Sequence, residues 1–168
     1  MEIRKAGPAD LDNIMGVYAA AREFMIRTGN PTQWGRTKPT RAMLEADIAE
    51  GSCCVITHEG GIHAVFVMRF GEDPTYRVIE NGAWPDDGPY VTIHRIAGDG
   101  SVHGVLKAAA DFCAARSDRI RVDTHENNHV MQRAVERYGF KKCGVIYVAD
   151  GSPRIAYQWN RPGTAEDT

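Results

Sequence analysis

The sequence predicts an α+β fold built on one mixed, largely antiparallel sheet flanked by helices. Three observations predict it. Short apolar runs are joined by tight turns, as at Glu59-Gly60-Gly61 and Asp150-Gly151, which read as antiparallel hairpins. Apolar residues at three- and four-residue steps mark helices between other runs. One strand-helix-strand stretch, from Tyr90 to Thr124, has the length of a crossover connection. The order is strand, two helices, three strands, helix, strand, helix, two strands.

Each element has its own signal. Ile3 to Ala6 is a short first strand, broken by Gly7-Pro8. Asp10 is the expected cap of a helix whose apolar face is Leu11, Ile14, Met15, Tyr18, Ala21 and Met25. Gly29-Asn30-Pro31 stops it. Thr40 caps a second helix carrying Met43, Leu44 and Ile48, and Gly51 closes it. Cys53 to His58 and Ile62 to Phe70 are a hairpin. Pro74 to Pro89 is a loop in which Tyr76 to Ile79 has the composition of a short strand. Tyr90 to Ala97 is a long strand, and Gly98-Asp99-Gly100-Ser101 turns into a helix from about Val102 to Arg116. Its expected buried stripe is Val105, Ala108, Ala109 and Phe112. Ile120, Val122 and Thr124 alternate as a strand. Asn128 caps a short helix with Met131, Ala134, Val135 and Tyr138, and Gly139 ends it. Lys142 to Val148 and Arg154 to Trp159 form the last hairpin.

The composition narrows the class. A chain of 168 residues is one ordinary domain, expected over 1–160, with a flexible acidic tail over 161–168. Twenty Lys and Arg against 22 Asp and Glu give a net charge of -2, so there is no basic surface to argue for nucleic acid or a polybasic membrane anchor. No window approaches the ~20 apolar residues that span a bilayer, and the start has no secretory pattern. Cys53, Cys54, Cys113 and Cys143 read as reduced thiols of a cytoplasmic protein. Adjacent Cys53 and Cys54 point to opposite faces of a strand and do not share a metal.

The element order, with Asn128 and Tyr138-Gly139-Phe140 at either end of one helix, resembles the GNAT superfamily of acetyl-CoA-dependent N-acyltransferases. A narrower resemblance, to a group of small bacterial GNAT proteins, lies in Phe24-Met25, Gly29-Asn30, Gln33-Trp34-Gly35, His94-Arg95-Ile96-Ala97, Arg121-Val122-Asp123-Thr124-His125, Cys143-Gly144 and Arg154-Ile155-Ala156-Tyr157. It implies a GNAT-like fold and acetyl-CoA as cosubstrate, with no metal, and names no acceptor. The resemblance implies that backbone amides at a helix start hold the coenzyme A pyrophosphate. The best alignment is Ser101-Val102-His103-Gly104-Val105-Leu106. Gly104 fits, whereas Ser101 and Leu106 depart from the usual residues. Asn128 joins this set, and an alternative register uses Gly98 and Gly100. His103 and Lys107 add positive charge near the phosphates.

The implied reaction is direct attack of an amine on the thioester. An ammonium of pKa roughly 10 must first lose a proton. His94 and His125 are the candidate bases, with Asp123 on the face of His125 to orient it. A backbone N–H near Ile96 or Ala97 is expected to polarise the thioester oxygen. Where many GNAT proteins carry a Tyr to protonate the thiolate, this chain has Val135. Asn30, Gln33 and Trp34, with the segment from Tyr76 to Trp84, are expected to meet a small amine or peptide amine; Trp34 as core packing is the competing reading. Surface strand edges leave room for a homodimer.

Two other classes compete. A GNAT fold could hold coenzyme A without turnover, in keeping with the altered loop and Val135. His125-Glu126-Asn127-Asn128-His129 is also a literal H-E-x-x-H string, the zinc-protease signature. That chemistry needs both histidines on one helix face, and a cap at Asn128 would leave His125 outside the helix.

Overall fold

The structure, a computed structural model, describes residues 1–163, so most of the expected tail lies outside the described residues. Among the described residues, seven strands and four α-helices follow in the order β1 (Glu2–Lys5), α1 (Leu11–Arg27), α2 (Arg41–Glu50), β2 (Cys53–His58), β3 (Gly61–Phe70), β4 (Val91–Gly98), α3 (Val105–Ala114), β5 (Arg119–Thr124), α4 (His129–Tyr138), β6 (Lys141–Tyr147) and β7 (Pro153–Asn160). The strands form one mixed sheet in the order β1-β2-β3-β4-β5-β7-β6. The β1/β2, β2/β3, β5/β7 and β6/β7 ladders are antiparallel and β4/β5 is parallel. This is the single mixed, largely antiparallel sheet with flanking helices that the sequence predicts. Among the described residues no helix is long and apolar enough to cross a membrane. None of the four cysteines, all of them among the described residues, is in a disulfide.

The chain divides into two compact units, Met1–Met68 with His94–Ala109, and Arg69–Ile93 with Ala110–Thr168. In the first, α1 buries Leu11, Ile14, Val17, Tyr18 and Ala21 in a cluster with Leu44, Cys53, Val55, Val65 and Ala97. The β2–β3 turn has two residues, Glu59 and Gly60, both at positive φ, the geometry that matches hairpin twist. Thr40 caps α2 through its hydroxyl on the Met43 amide, and Gly51 closes it at φ 80°. Asp10 behaves differently from the expected cap. Its side chain makes no cap bond to α1; its carboxylate accepts from the Gly7 amide at 2.8 Å and from Arg4 at 2.7 Å.

In the second unit, β7 is the centre of a three-stranded antiparallel group with β5 and β6 on either side. The segment before β4 is no strand over Tyr76 to Ile79. It is a 3-10 turn, Pro74–Tyr76, followed by a single bridge from Glu80 to Val145. Side chains hold it down. The Trp84 indole donates to the Tyr76 carbonyl at 2.8 Å, and the Arg121 guanidinium lies 3.9 Å from the Trp84 ring centre and 4.0 Å from that of Tyr90. Gly88 is fixed by space, since a Cβ there would lie 2.2 Å from the Arg119 guanidinium carbon.

One further expectation needs correction. Helix α3 begins at Val105, three residues later than expected, and its buried residues are Leu106, Ala109, Ala110 and Cys113. The Val105, Ala108, Phe112 stripe is therefore rotated by one position, because Ser101 to Gly104 belong to the turn. At the other end Arg161 is anchored, where the expected tail begins. Its amide donates to the Asp118 carbonyl at 2.8 Å, its Nε to the Asp118 carboxylate at 2.7 Å, and its guanidinium to the Ala114 carbonyl.

Candidate active site

In the first unit, β4 carries His94, Ile96 and Ala97. Between them Arg95 stands at φ +47° inside the strand, a conformation that costs a non-glycine residue about 1 kcal/mol or more. A left-handed residue within a strand breaks the regular pleat at that point. Two contacts hold it. The Arg95 guanidinium binds Asp47 of α2 at 2.7 and 2.6 Å, with Asp47 only 2% exposed, and the Tyr18 hydroxyl donates to the Arg95 carbonyl at 2.6 Å. This left-handed residue lies immediately before the Ile96 and Ala97 amides that the sequence nominates for the thioester oxygen.

The turn after β4 contains Gly100 and Gly104 at φ 88° and 72°. The Ala108 amide to Gly104 carbonyl bond, 2.9 Å, is the first full turn of α3. The amides of Val105, Leu106 and Lys107 precede it, at the positive end of the helix dipole. Gly104 has no side chain to cap them. Ser101 and His103 are exposed in this turn, with Val102 partly so. The turn is tied to β3: the Asp99 amide donates to the His63 carbonyl at 2.9 Å, and the Asp99 carboxylate lies 2.9 Å from His63 Nδ1. Ser101 Oγ is 2.8 Å from the same nitrogen and donates to Asp99. Burial opposes ionisation of Asp99, but the Ser101 hydroxyl and amide and the His63 ring outweigh it and hold the carboxyl below its ordinary range.

The expected acceptor loop is also in this unit. Asn30 is buried and donates to Gln33 Oε1 at 2.8 Å. Trp34 packs edge-on against Tyr18, with ring centres 5.5 Å apart, and leans on the core cluster. Trp34 thus fastens the loop to the core.

In the second unit, β5 carries Asp123 and ends at Thr124, and His125 opens the turn to α4. Asp123 accepts a 2.7 Å hydrogen bond from the Tyr76 hydroxyl. Burial and then Asp123 push the Tyr76 phenol well above its ordinary pKa. His125 Nδ1 accepts from the Asn127 amide at 3.0 Å. A backbone amide can only donate, so the neutral ring carries its hydrogen on Nε2. Burial, and next the charge of Arg154, lower the His125 pKa, with Glu126 opposing. The Nδ1 lone pair is thus engaged, and Nε2 carries the hydrogen of the neutral ring.

Asn128 caps α4 through Oδ1 on the Met131 amide, 3.1 Å. The helix starts at His129, so His125 precedes the cap and the two histidines of the H-E-x-x-H string do not share a helix face. No group of three or more His, Cys, Asp or Glu that could hold a metal occurs among the described residues. Val135 is fully buried. Tyr138 donates to Asp111 at 2.8 Å, and its phenol is pushed up by burial and by that carboxylate, so neither supplies a ready proton for a thiolate. Sequence reasoning missed His63, whose ring ties the turn after β4 to β3.

Solved structures share this architecture. A GNAT-family acetyltransferase from Streptococcus agalactiae 2603 superposes with a TM-score of 0.84, at 29% identity over 95% of this chain and 95% of its own. A GNAT-family acetyltransferase from Listeria monocytogenes 4b F2365 gives 0.67 at 20% identity, over 95% and 94%. A GNAT-like decarboxylase in complex with isobutyryl-CoA gives 0.65 at 15% identity, over 95% and 99%. No protein-family model matches the chain, and no curated protein does. The fold, and the likeness to the streptococcal protein in particular, relate this chain to the GNAT superfamily.

Proposed function

We propose that this protein is an N-acetyltransferase that moves the acetyl group of acetyl-CoA directly to a primary amine. The observation that carries the reading is the likeness to the streptococcal GNAT acetyltransferase over nearly the whole of both chains. The local geometry supports it. The Val105, Leu106 and Lys107 amides, with Ser101 to Gly104, receive the pyrophosphate. The left-handed Arg95 precedes Ile96 and Ala97, one of whose amides polarises the thioester oxygen. His94, half-buried on β4, takes the ammonium proton through water, since His125 is in the donor tautomer. The thiolate, of pKa about 8.5, leaves without a dedicated acid.

A second reading, a GNAT fold that binds coenzyme A without turnover, is favoured by Val135 and by the Asp111-bound Tyr138. One assay separates them: free-thiol release from acetyl-CoA over a panel of amines, for wild type and His94→Ala. Acetyl-CoA-dependent release that falls in His94→Ala supports the transferase. Thermal stabilisation by coenzyme A with no release from any amine supports the binding module.

A further inference from the structure

His63 of β3 grips one residue of the turn after β4 at two points. Its carbonyl accepts from the Asp99 amide at 2.9 Å, and its ring Nδ1 lies 2.9 Å from Asp99 Oδ2. A carboxylate oxygen only accepts, so Nδ1 carries a hydrogen and donates it. The other oxygen, Oδ1, accepts from the Ser101 amide at 2.9 Å and from the Ser101 hydroxyl. Ser101 Oγ also lies 2.8 Å from Nδ1, which closes the ring of contacts. Gly100, at φ 88°, lets Ser101 fold back onto Asp99.

This cluster sits at the corner where α3 begins. A Cβ at Gly98, the last residue of β4, would lie 3.3 Å from Val105 Cγ2 and 3.9 Å from the His63 carbonyl, so the first residue of α3 rests beside β3. A Cβ at Gly61 would lie 3.0 Å from His63 Nε2, so the imidazole lies over a position without a side chain. A turn of this length has many conformations when nothing ties it. A ligand that needs one of them loses affinity in proportion to the time spent in the others. Asp99 would also repel a diphosphate if its oxygens faced it, and His63 and Ser101 occupy those oxygens instead.

We propose that His63 is a positioning residue for coenzyme A: through Asp99 and Ser101 it sets the turn after β4 in its binding shape before the pyrophosphate arrives. This rests on the reading that the turn receives the pyrophosphate; the fastening of the turn does not. The main-chain bond from Asp99 to His63 survives any substitution of the ring, so ring variants loosen the turn without detaching it.

The test is calorimetry with coenzyme A, with amide hydrogen exchange of the ligand-free protein beside it. His63→Ala should weaken coenzyme A about 10-fold, the worth of one hydrogen bond to a charged group. The Ser101 amide should exchange faster in that variant. His63→Asn, whose side-chain NH2 falls near the Nδ1 position, should recover most of the affinity. His63→Gln, whose NH2 falls near Nε2, should not. The double variant His63→Ala with Asp99→Ala should bind no more weakly than Asp99→Ala alone, because the two side chains act as one unit. Unchanged affinity in His63→Ala overturns the proposal, as do equal recovery by Asn and Gln or additive losses in the double variant. If His63→Ala fails to fold, Asp99→Ala against Asp99→Asn carries the comparison: Asn keeps an acceptor for the ring and should lose less, and equal losses overturn the proposal. Wild type without coenzyme A affinity removes the reading of the turn, and this proposal with it. Coenzyme A binding that shows all these effects, with no thiol release from acetyl-CoA on any amine, leaves the role of His63 standing and removes the transferase.

Discussion

The turns after β4 and after β5 start from similar ingredients and arrive at opposite chemistry. Each brings a histidine against a polar turn and leads into a ten-residue helix. After β4, the residue before the helix is glycine, and the first amides meet no cap from it. After β5, Asn128 fills that role with its side chain. The histidines differ in the same sense. Asp99 accepts at His63 Nδ1, so that nitrogen keeps its hydrogen and the lone pair lies on Nε2. The Asn127 amide donates to His125 Nδ1, so the hydrogen lies on Nε2. What each ring offers a ligand is set by the nearest backbone or carboxylate group, and composition alone does not reveal it.

Perturbing the support of each turn tests this contrast. Removing Asp47 should have the largest effect. Asp47→Ala leaves the Arg95 guanidinium without its buried partner and should cost about 3–5 kcal/mol of stability, read by denaturant unfolding. Gly104→Val places a β-branched residue at φ 72°, which should cost about 1–2 kcal/mol. It also crowds the start of α3, so coenzyme A affinity should fall by more than stability predicts; unchanged affinity by calorimetry would separate this turn from the cosubstrate. Asn128→Ala should cost about 1 kcal/mol, and Asn128→Asp should restore most of it, since either side chain can cap. If Asn128→Ala weakens coenzyme A and Asn128→Asp does not restore binding, Asn128 does more than cap.

The smallest effect is on pH dependence. The folded His125 pKa lies below its unfolded value of about 6.5. The unfolded chain therefore binds the proton first. Stability from this group is full above about pH 6.5 and is lost as pH falls below it toward the folded pKa. His125→Gln should flatten the stability curve over that window by a few tenths of a kcal/mol. Long-range nitrogen NMR of the wild type should show Nδ1 without a hydrogen at neutral pH; the reverse tautomer would remove the contrast.

Much of this was legible in the residues. Capping by Thr40 and Asn128, the closing glycines Gly51 and Gly139, and the Glu59-Gly60 turn are local decisions, and local chemistry expresses them in sequence. The segment from Pro74 to Gly88 was not legible, because its conformation answers to Arg121, Arg119 and Val145, which are distant in the chain. The start of α3 was misplaced because Val102 and His103 can enter a helix, whereas the Asp99–Ser101–His63 cluster keeps the turn open. The site was least legible. His125 was visible as a candidate, but its tautomer depends on one amide.

The packing of Trp84 carries a kinetic consequence. Its indole hydrogen is bound to the Tyr76 carbonyl beneath the Arg121 guanidinium. That hydrogen can trade with deuterium from solvent only when the segment lifts. Its exchange rate is therefore a clock for one local opening, readable as a single resolved NMR line. A line that fades with the slowest backbone amides would make the segment part of the last structure to unfold.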